Sequence, residues 1–222
     1  MEQLTISALW PELEHTLAAP LLASATYPWE ILKKIKDFIL ELGATLPADE
    51  YDQVSEGVWV AKDATVAPTA YLGAPCIIGH GTEVSHCAYV RGSALVGDGG
   101  VVGNSVELKN CILFDGVQTP HYNYVGDSIL GYRSHMGAGS ITSNVKSDKT
   151  NVTVNVNGEK VETGCRKMGA MLGDFVEVGC NSVLNPGTVI GAHSNVYPTS
   201  SVRGYIPPNS IYKKRGEIAE KF

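Results

Sequence analysis

The 222-residue chain has no apolar run of the roughly 18 residues that a membrane-spanning helix needs. It has no CxxC pair either. Its five cysteines, Cys76, Cys87, Cys111, Cys165 and Cys180, are an odd number, so at least one is unpaired, and reduced structural thiols are expected. Basic charge is not in excess: 17 Lys and Arg against 23 Asp and Glu give a net charge of −6, which offers no footprint for nucleic-acid phosphates. The start, MEQLTISALWPELEH, lacks the basic and apolar regions of a secretion signal. These absences argue against a membrane or nucleic-acid partner and give the cytosol as the expected location. Aromatic residues are sparse at 8%, leaving little use for large rings, whereas glycine is abundant at 24 residues, as suits a chain with many tight corners.

What the chain does have is a period of six. Val60, Val66, Leu72, Ile78, Val84, Val90, Val96, Val102 and Leu108 are nine consecutive aliphatic positions at that spacing, a coincidence with a chance on the order of 10⁻⁶. Small residues mostly stand two places earlier, and Gly73, Gly79, Gly97 and Gly103 stand one place later. The pattern returns at Leu172, Val178, Leu184, Ile190, Val196 and Val202. A step of six fits neither a helix nor a long alternating strand, so each unit is a very short strand plus a corner. Branched side chains then stack inside, and successive coils pair as parallel strands about 4.8 Å apart.

The repeat divides the chain. Residues 1–56 lack it. There Ile31, Ile35, Phe38, Ile39 and Leu42 follow helical spacing, with Pro28 suited to a first turn and Gly43 to a stop, which predicts a helix from about 29 to 42 covering the open end of the stack. Residues 57–206 carry the coils. Between 145 and 169 the register breaks, and alternation over Asn151–Val156, the Asn157-Gly158 turn signal and Glu159–Thr163 predict a projecting hairpin. Residues 207–222 form a tail with Lys213, Lys214 and Arg215.

The [LIV]-G-x4 pattern resembles the hexapeptide-repeat acyltransferases. That resemblance implies an all-β fold, a left-handed parallel β-helix, here of about seven coils, to which the helix expected at 29–42 adds an N-terminal cap. The segments NSVELKN, TPHYNYVGDSILG and GAGSITSN are similar to the acetyltransferase half of the bifunctional enzymes that acetylate glucosamine 1-phosphate and then uridylylate it. KMGAMLGDFVEVGCNSVLNPGTVIG and the hairpin look more like archaeal sugar-1-phosphate nucleotidyltransferases with an acetyltransferase tail. The resemblance implies acetyl coenzyme A as cofactor, an amino-sugar phosphate as substrate, and a homotrimer with sites between prisms. It makes His121 the general base, a role that suits an imidazole because its ordinary pKa lies near working pH. Arg91 and Lys109 would hold the sugar phosphate; each follows an inward residue, and they lie one 18-residue coil apart. Tyr124 would bind the sugar, Asn144 would be shared between sugar and cofactor, and Arg215 and backbone N–H groups near Cys180 would meet coenzyme A.

The match has departures. His135 stands where the glucosamine 1-phosphate enzymes have a sugar-contacting asparagine, Val145 replaces an aromatic residue, and Thr150, beside Lys149, replaces a lysine, so the acceptor sugar is left open. The Gly-rich nucleotide loop of the uridylyltransferase half has no counterpart in residues 1–56, and nucleotidyl transfer is not expected of this chain alone. A second reading stays open, a non-catalytic trimeric β-helix that binds a sugar phosphate, a sugar nucleotide or a partner. A zinc carbonic anhydrase on this fold would need two histidines five residues apart; His80, His86, His121, His135 and His193 supply no such pair, and no metal ligand is assigned.

Overall fold

The computed structural model describes residues 1–221. The period of six becomes a three-sided parallel β-solenoid. On its first face the inward residues Val60, Ile78, Val96, Leu113, Leu130, Leu172, Ile190 and Ile206 stand on consecutively paired rungs. The second face runs from Val66 through Val84, Val102, Thr119, Met136, Val178 and Val196 to Tyr212. The third stacks Leu72, Val90, Leu108, Val125, Thr142, Leu184 and Val202. Antiparallel strands close both ends, Tyr51–Ser55 against Val58–Ala61 and Glu217–Glu220 against Ser210–Lys214. With them the stack reaches about nine turns, longer than the seven coils expected, because the irregular middle coils and the C-terminal tail add rungs that a strict six-residue count passes over.

The departures from period six fall at one place. On passing from the third face to the first, the step is six residues from Val90 to Val96, five from Leu108 to Leu113 and five from Val125 to Leu130. From Thr142 to Leu172 the whole hairpin intervenes, and from Val202 to Ile206 the step is four. The two five-residue steps let strands Glu107–Leu113 and Tyr124–Leu130 run unbroken through the corner, so the first and third faces share one hydrogen-bonded sheet. The hairpin, Thr153–Val156 with Glu159–Glu162, leaves the stack and then folds back on it. Its Val152, Val154 and Val156 are buried, and its backbone lies against Gly187 and Gly204, where no Cβ could be accommodated.

The N-terminal region differs from the expected helix over the open end. It is a series of short turns, including 3₁₀-helix Pro28–Ile31 and α-helix Ile35–Gly43, and it lies along the flank. The reason is visible on the first face. Ile77, Leu95, Ile112, Ile129, Met171 and Val189 point out of the prism on successive rungs, yet all are fully buried. Covering each such side chain is worth about 1.5–3 kcal/mol, and six of them line this flank. Trp10 fixes the cover: its ring lies 5.4 Å from that of Phe114, and its Nε1–H donates to the Leu172 carbonyl at 2.9 Å. Cys76, Cys111 and Cys165 are buried free thiols, and burial pushes Cys76 up to about 12. Among the described residues no helix is long and apolar enough to cross a membrane.

At the corner between the first and second faces, carboxylates cap the preceding coil. Asp98 accepts from the His80 N–H at 2.7 Å, Asp115 from the Asp98 N–H at 2.8 Å, and Asp174 from the Tyr132 N–H at 2.8 Å. The glycines that follow the inward residues serve this ladder, since a Cβ on Gly79 or Gly131 would meet the capping oxygen.

Two outcomes follow from this packing. Trp10→Ala removes a fully buried ring and one of the two donors to the Leu172 carbonyl, the other being the Gly131 N–H, and urea unfolding should show a loss of about 3–5 kcal/mol. Burial raises Asp174 from 3.8 to about 6. Between these values the unfolded chain holds fewer protons than the folded one, so stability falls as pH rises from about 4 to about 6. Asp174→Asn keeps an acceptor oxygen and should flatten that part of a plot of melting temperature against pH.

Candidate functional site

The shortened corner brings Lys109 and Asn110 of one coil beside Gly126 and Asp127 of the next. Asn110 and Asp127 both adopt left-handed backbone, with φ of 49° each, a conformation that Asn and Asp tolerate better than other non-glycine residues. The Asp127 carboxylate is buried and becomes a node. Lys109 Nζ donates to its two oxygens at 3.3 and 3.1 Å, Asn110 Nδ2 donates to Oδ1 at 2.9 Å, and Asn144 Nδ2 donates to Oδ2. Asn110 also donates to the Leu32 carbonyl at 3.1 Å, and the Asp127 carbonyl accepts from Gly169 N–H at 2.8 Å. The node thus ties the stack to the N-terminal region and to the chain leaving the hairpin. Asn144 Nδ2 reaches the Tyr124 hydroxyl as well, at 3.2 Å. Burial first, and then the nearby Asp127 charge, raise the Tyr124 phenol above its ordinary value. Gly126 leaves the space that the Tyr124 hydroxyl occupies.

Arg91 sits one coil before Lys109 on the same face and pairs with Glu107, Nη1 to Oε1 at 2.9 Å. Both cations expected to hold a phosphate therefore already have carboxylate partners, Glu107 and Asp127, which the sequence reading did not assign. The signal for Asp127 was the five-residue step after Val125, which turns a residue from the run of the corner into the protein.

His121 is exposed and lies at the other end of the third face, at the corner between the second and third faces. Its backbone N–H donates to Asn123 Oδ1 at 3.1 Å, and its carbonyl accepts from Gly139 N–H. It is not hydrogen-bonded to the Asp127 cluster. Cys180 occupies the same corner two rungs on, counting Thr119 to Met136 to Val178. Two rungs beyond it comes Tyr212, and Arg215 follows at the turn of the last strands. At about 4.8 Å per rung, this column runs roughly 10 Å from His121 to Cys180 and roughly 19 Å to the level of Tyr212. Arg215 lines a cavity of about 460 Å³ with Asn185, Arg203 and Tyr212.

His135 is elsewhere. Its Nδ1 lies 2.8 Å from Glu177 Oε2 on the next rung of the second face, and it lines a cavity of about 690 Å³ with Asp98, Asp115, Gln118 and Arg133. The described residues thus separate the expected set into the cluster of Lys109, Tyr124 and Asn144 around Asp127, Arg91 one coil away, the column of His121, Cys180 and Arg215, and His135 apart from both.

No family model matches the chain. It is 33% identical over 156 residues to the bifunctional sugar-1-phosphate nucleotidylyltransferase/acetyltransferase of Sulfurisphaera tokodaii, covering 70% of this chain and 39% of that protein. It is 31% identical over 194 residues to the bifunctional protein GlmU of Methanococcus maripaludis, covering 86% and 47%. The chain spans less than half the length of these curated relatives. Among solved structures, a hexapeptide transferase family protein from Anaplasma phagocytophilum superposes with a TM-score of 0.50 at 14% identity, over 75% of this chain and 81% of that one, and so shares the fold.

Asp127→Asn takes the charge out of the node and leaves Lys109 Nζ without its anion. Because Lys109 is partly solvated, the loss should be about 2–4 kcal/mol in urea unfolding. Adding Lys109→Met should recover part of it, and a double-mutant cycle reads the coupling.

Proposed function

We propose that this chain, a homologue of the bifunctional sugar-1-phosphate nucleotidylyltransferase/acetyltransferases, transfers the acetyl group of acetyl coenzyme A to the amine of an amino-sugar 1-phosphate. The observation that carries the reading is the third face. His121 stands at one of its corners, the cluster of Lys109, Tyr124, Asn144 and Asp127 at the other, and Tyr124 between them is three residues from His121. The name of the Sulfurisphaera tokodaii relative includes acetyl transfer and sugar-1-phosphate chemistry.

Acetyl coenzyme A, when bound, supplies an activated thioester carbonyl. The residues at the second corner fit such a ligand: His121 and Cys180 are exposed on one edge with half-buried Ala138 between them, and beyond the end of that edge Arg215, in the cavity it lines with Asn185 and Arg203, supplies a cation. Arg215 is suited to the phosphates of the cofactor. His121 takes a proton from the sugar ammonium, freeing the nitrogen lone pair to attack the thioester carbonyl; the C–N bond forms, the C–S bond breaks, and the second proton that nitrogen loses as the amide forms goes to the departing sulfur, which leaves as thiol. Lys109 and Arg91 orient the sugar phosphate, and Tyr124 with Asn144 meets the sugar ring. Tyr71 and Tyr89, exposed on this same face with rings 5.6 Å apart, suit burial against another copy, and a homotrimer with sites between third faces is the assembly proposed.

Screening amino-sugar 1-phosphates with acetyl coenzyme A while following thiol release tests the reading. His121→Ala should lower the rate by roughly 10²–10⁴-fold, the usual share of a general base, with little change in melting temperature because the side chain is exposed. Turnover that survives the substitution would remove His121 from the role.

A further inference from the structure

The corner that builds the Asp127 node also borders a cavity of about 560 Å³ that acetyl transfer does not require. One wall comes from the N-terminal region, with Leu32, Lys33 and Lys36; the opposite wall is the chain after the hairpin, with Cys165, Arg166 and Lys167; the floor is Lys109, Asn110 and Asp127. Elsewhere in this acidic chain many cations have anionic partners: Lys62 with Asp52, Arg91 with Glu107, Lys146 with Asp148, and Lys213 and Lys214 with Glu217. Lys109 in the floor is matched by Asp127. Lys33, Lys36, Arg166 and Lys167 have no ion pair or side-chain hydrogen bond among the described residues, and all four are exposed around one cavity. Five cations against one carboxylate leave a net local charge of +4, on a chain whose net charge is −6.

We propose that this cavity binds a diphosphate group. Lys33 and Lys36 are three residues apart on one wall, while adjacent Arg166 and Lys167 stand on the other. One phosphoryl group would satisfy one wall and leave the second pair of cations facing each other; two linked phosphoryl groups satisfy both. The Arg166 guanidinium can take two oxygens of one phosphoryl group in a fork, and the lysines act as movable point charges. The volume lies within the range of small-ligand sites, and the apolar wall formed by buried Leu32 and Cys165 suits a less polar portion of whatever the diphosphate carries. Two carriers share this chemistry, a nucleoside diphosphate derivative and coenzyme A. The four wall cations take no part in the acyl transfer proposed above, with which the site shares Lys109 and Asp127.

Isothermal titration of the full chain with inorganic pyrophosphate at fixed ionic strength tests it. Pyrophosphate should bind at least tenfold more tightly than inorganic phosphate. Lys33→Ala with Lys36→Ala, and separately Arg166→Ala with Lys167→Ala, should each weaken it at least tenfold; all four side chains are exposed, so melting temperature should hardly move. Lys213→Ala with Lys214→Ala, at the far end of the stack, should leave binding unchanged. Displacement of pyrophosphate by uridine diphosphate or by coenzyme A identifies the carrier the cavity accepts. Absence of pyrophosphate binding, binding unaltered in both wall variants, or displacement by neither carrier would overturn the proposal.

Discussion

Everything in this molecule depends on keeping an inward column of side chains in register from rung to rung. Each coil must return to its starting face with an aliphatic residue pointing inward, because one slipped residue would turn that set outward. Two corners of the prism meet this demand by repetition, with glycine at points where the next coil comes close and, at the corner between the first and second faces, carboxylates that cap the amides. The third corner takes up the variation: six residues, five, five, a full hairpin, six and then four. The core tolerates these changes because all of them are confined to a place where strands Glu107–Leu113 and Tyr124–Leu130 can bend through without losing their pairing.

That corner is also where polar groups are buried. Asp127 is taken out of water and compensated by the Lys109 ammonium and the amides of Asn110 and Asn144, an arrangement that becomes costly if any partner is removed. Its reach is wide. Through Asn110 it meets the N-terminal region at Leu32, and through its own carbonyl it meets Gly169, where the chain rejoins the stack. One carboxylate therefore sets the relative placement of the flank cover, the coils and the hairpin exit, and the side chains proposed to hold phosphate groups are arranged around it.

Much of the scaffold was legible in the sequence, because a repeat states its own geometry. The run from Val60 to Leu108 dictates stacked short strands, and Asn157-Gly158 marks a hairpin that forms with its turn there. The covered flank was legible too, in a second column that a count of inward positions overlooks. The residue before every third inward one is Ile77, Leu95, Ile112, Ile129, Met171 or Val189, apolar on a face that should otherwise meet water. The site was less so. Lys109 and Tyr124 follow from position along the coils, but the partners of Arg91 and Lys109 depend on whether a corner takes five residues or six. The convergence of Lys33 and Lys36 with Arg166 and Lys167 depends on which side of the prism the N-terminal region covers. Neither fact is local, so no short window of sequence contains it.

The tie made by the shortened corner is tested most directly by hydrogen exchange on a variant with one glycine inserted between Lys109 and Asn110, which restores a six-residue step. Amides in the flank cover, over residues 28–43, and at the hairpin exit, over 164–170, should lose protection, while the regular rungs over 76–102 keep theirs. Protection that stays at the wild-type level in the cover and the hairpin exit would contradict the view that this corner holds the three parts together.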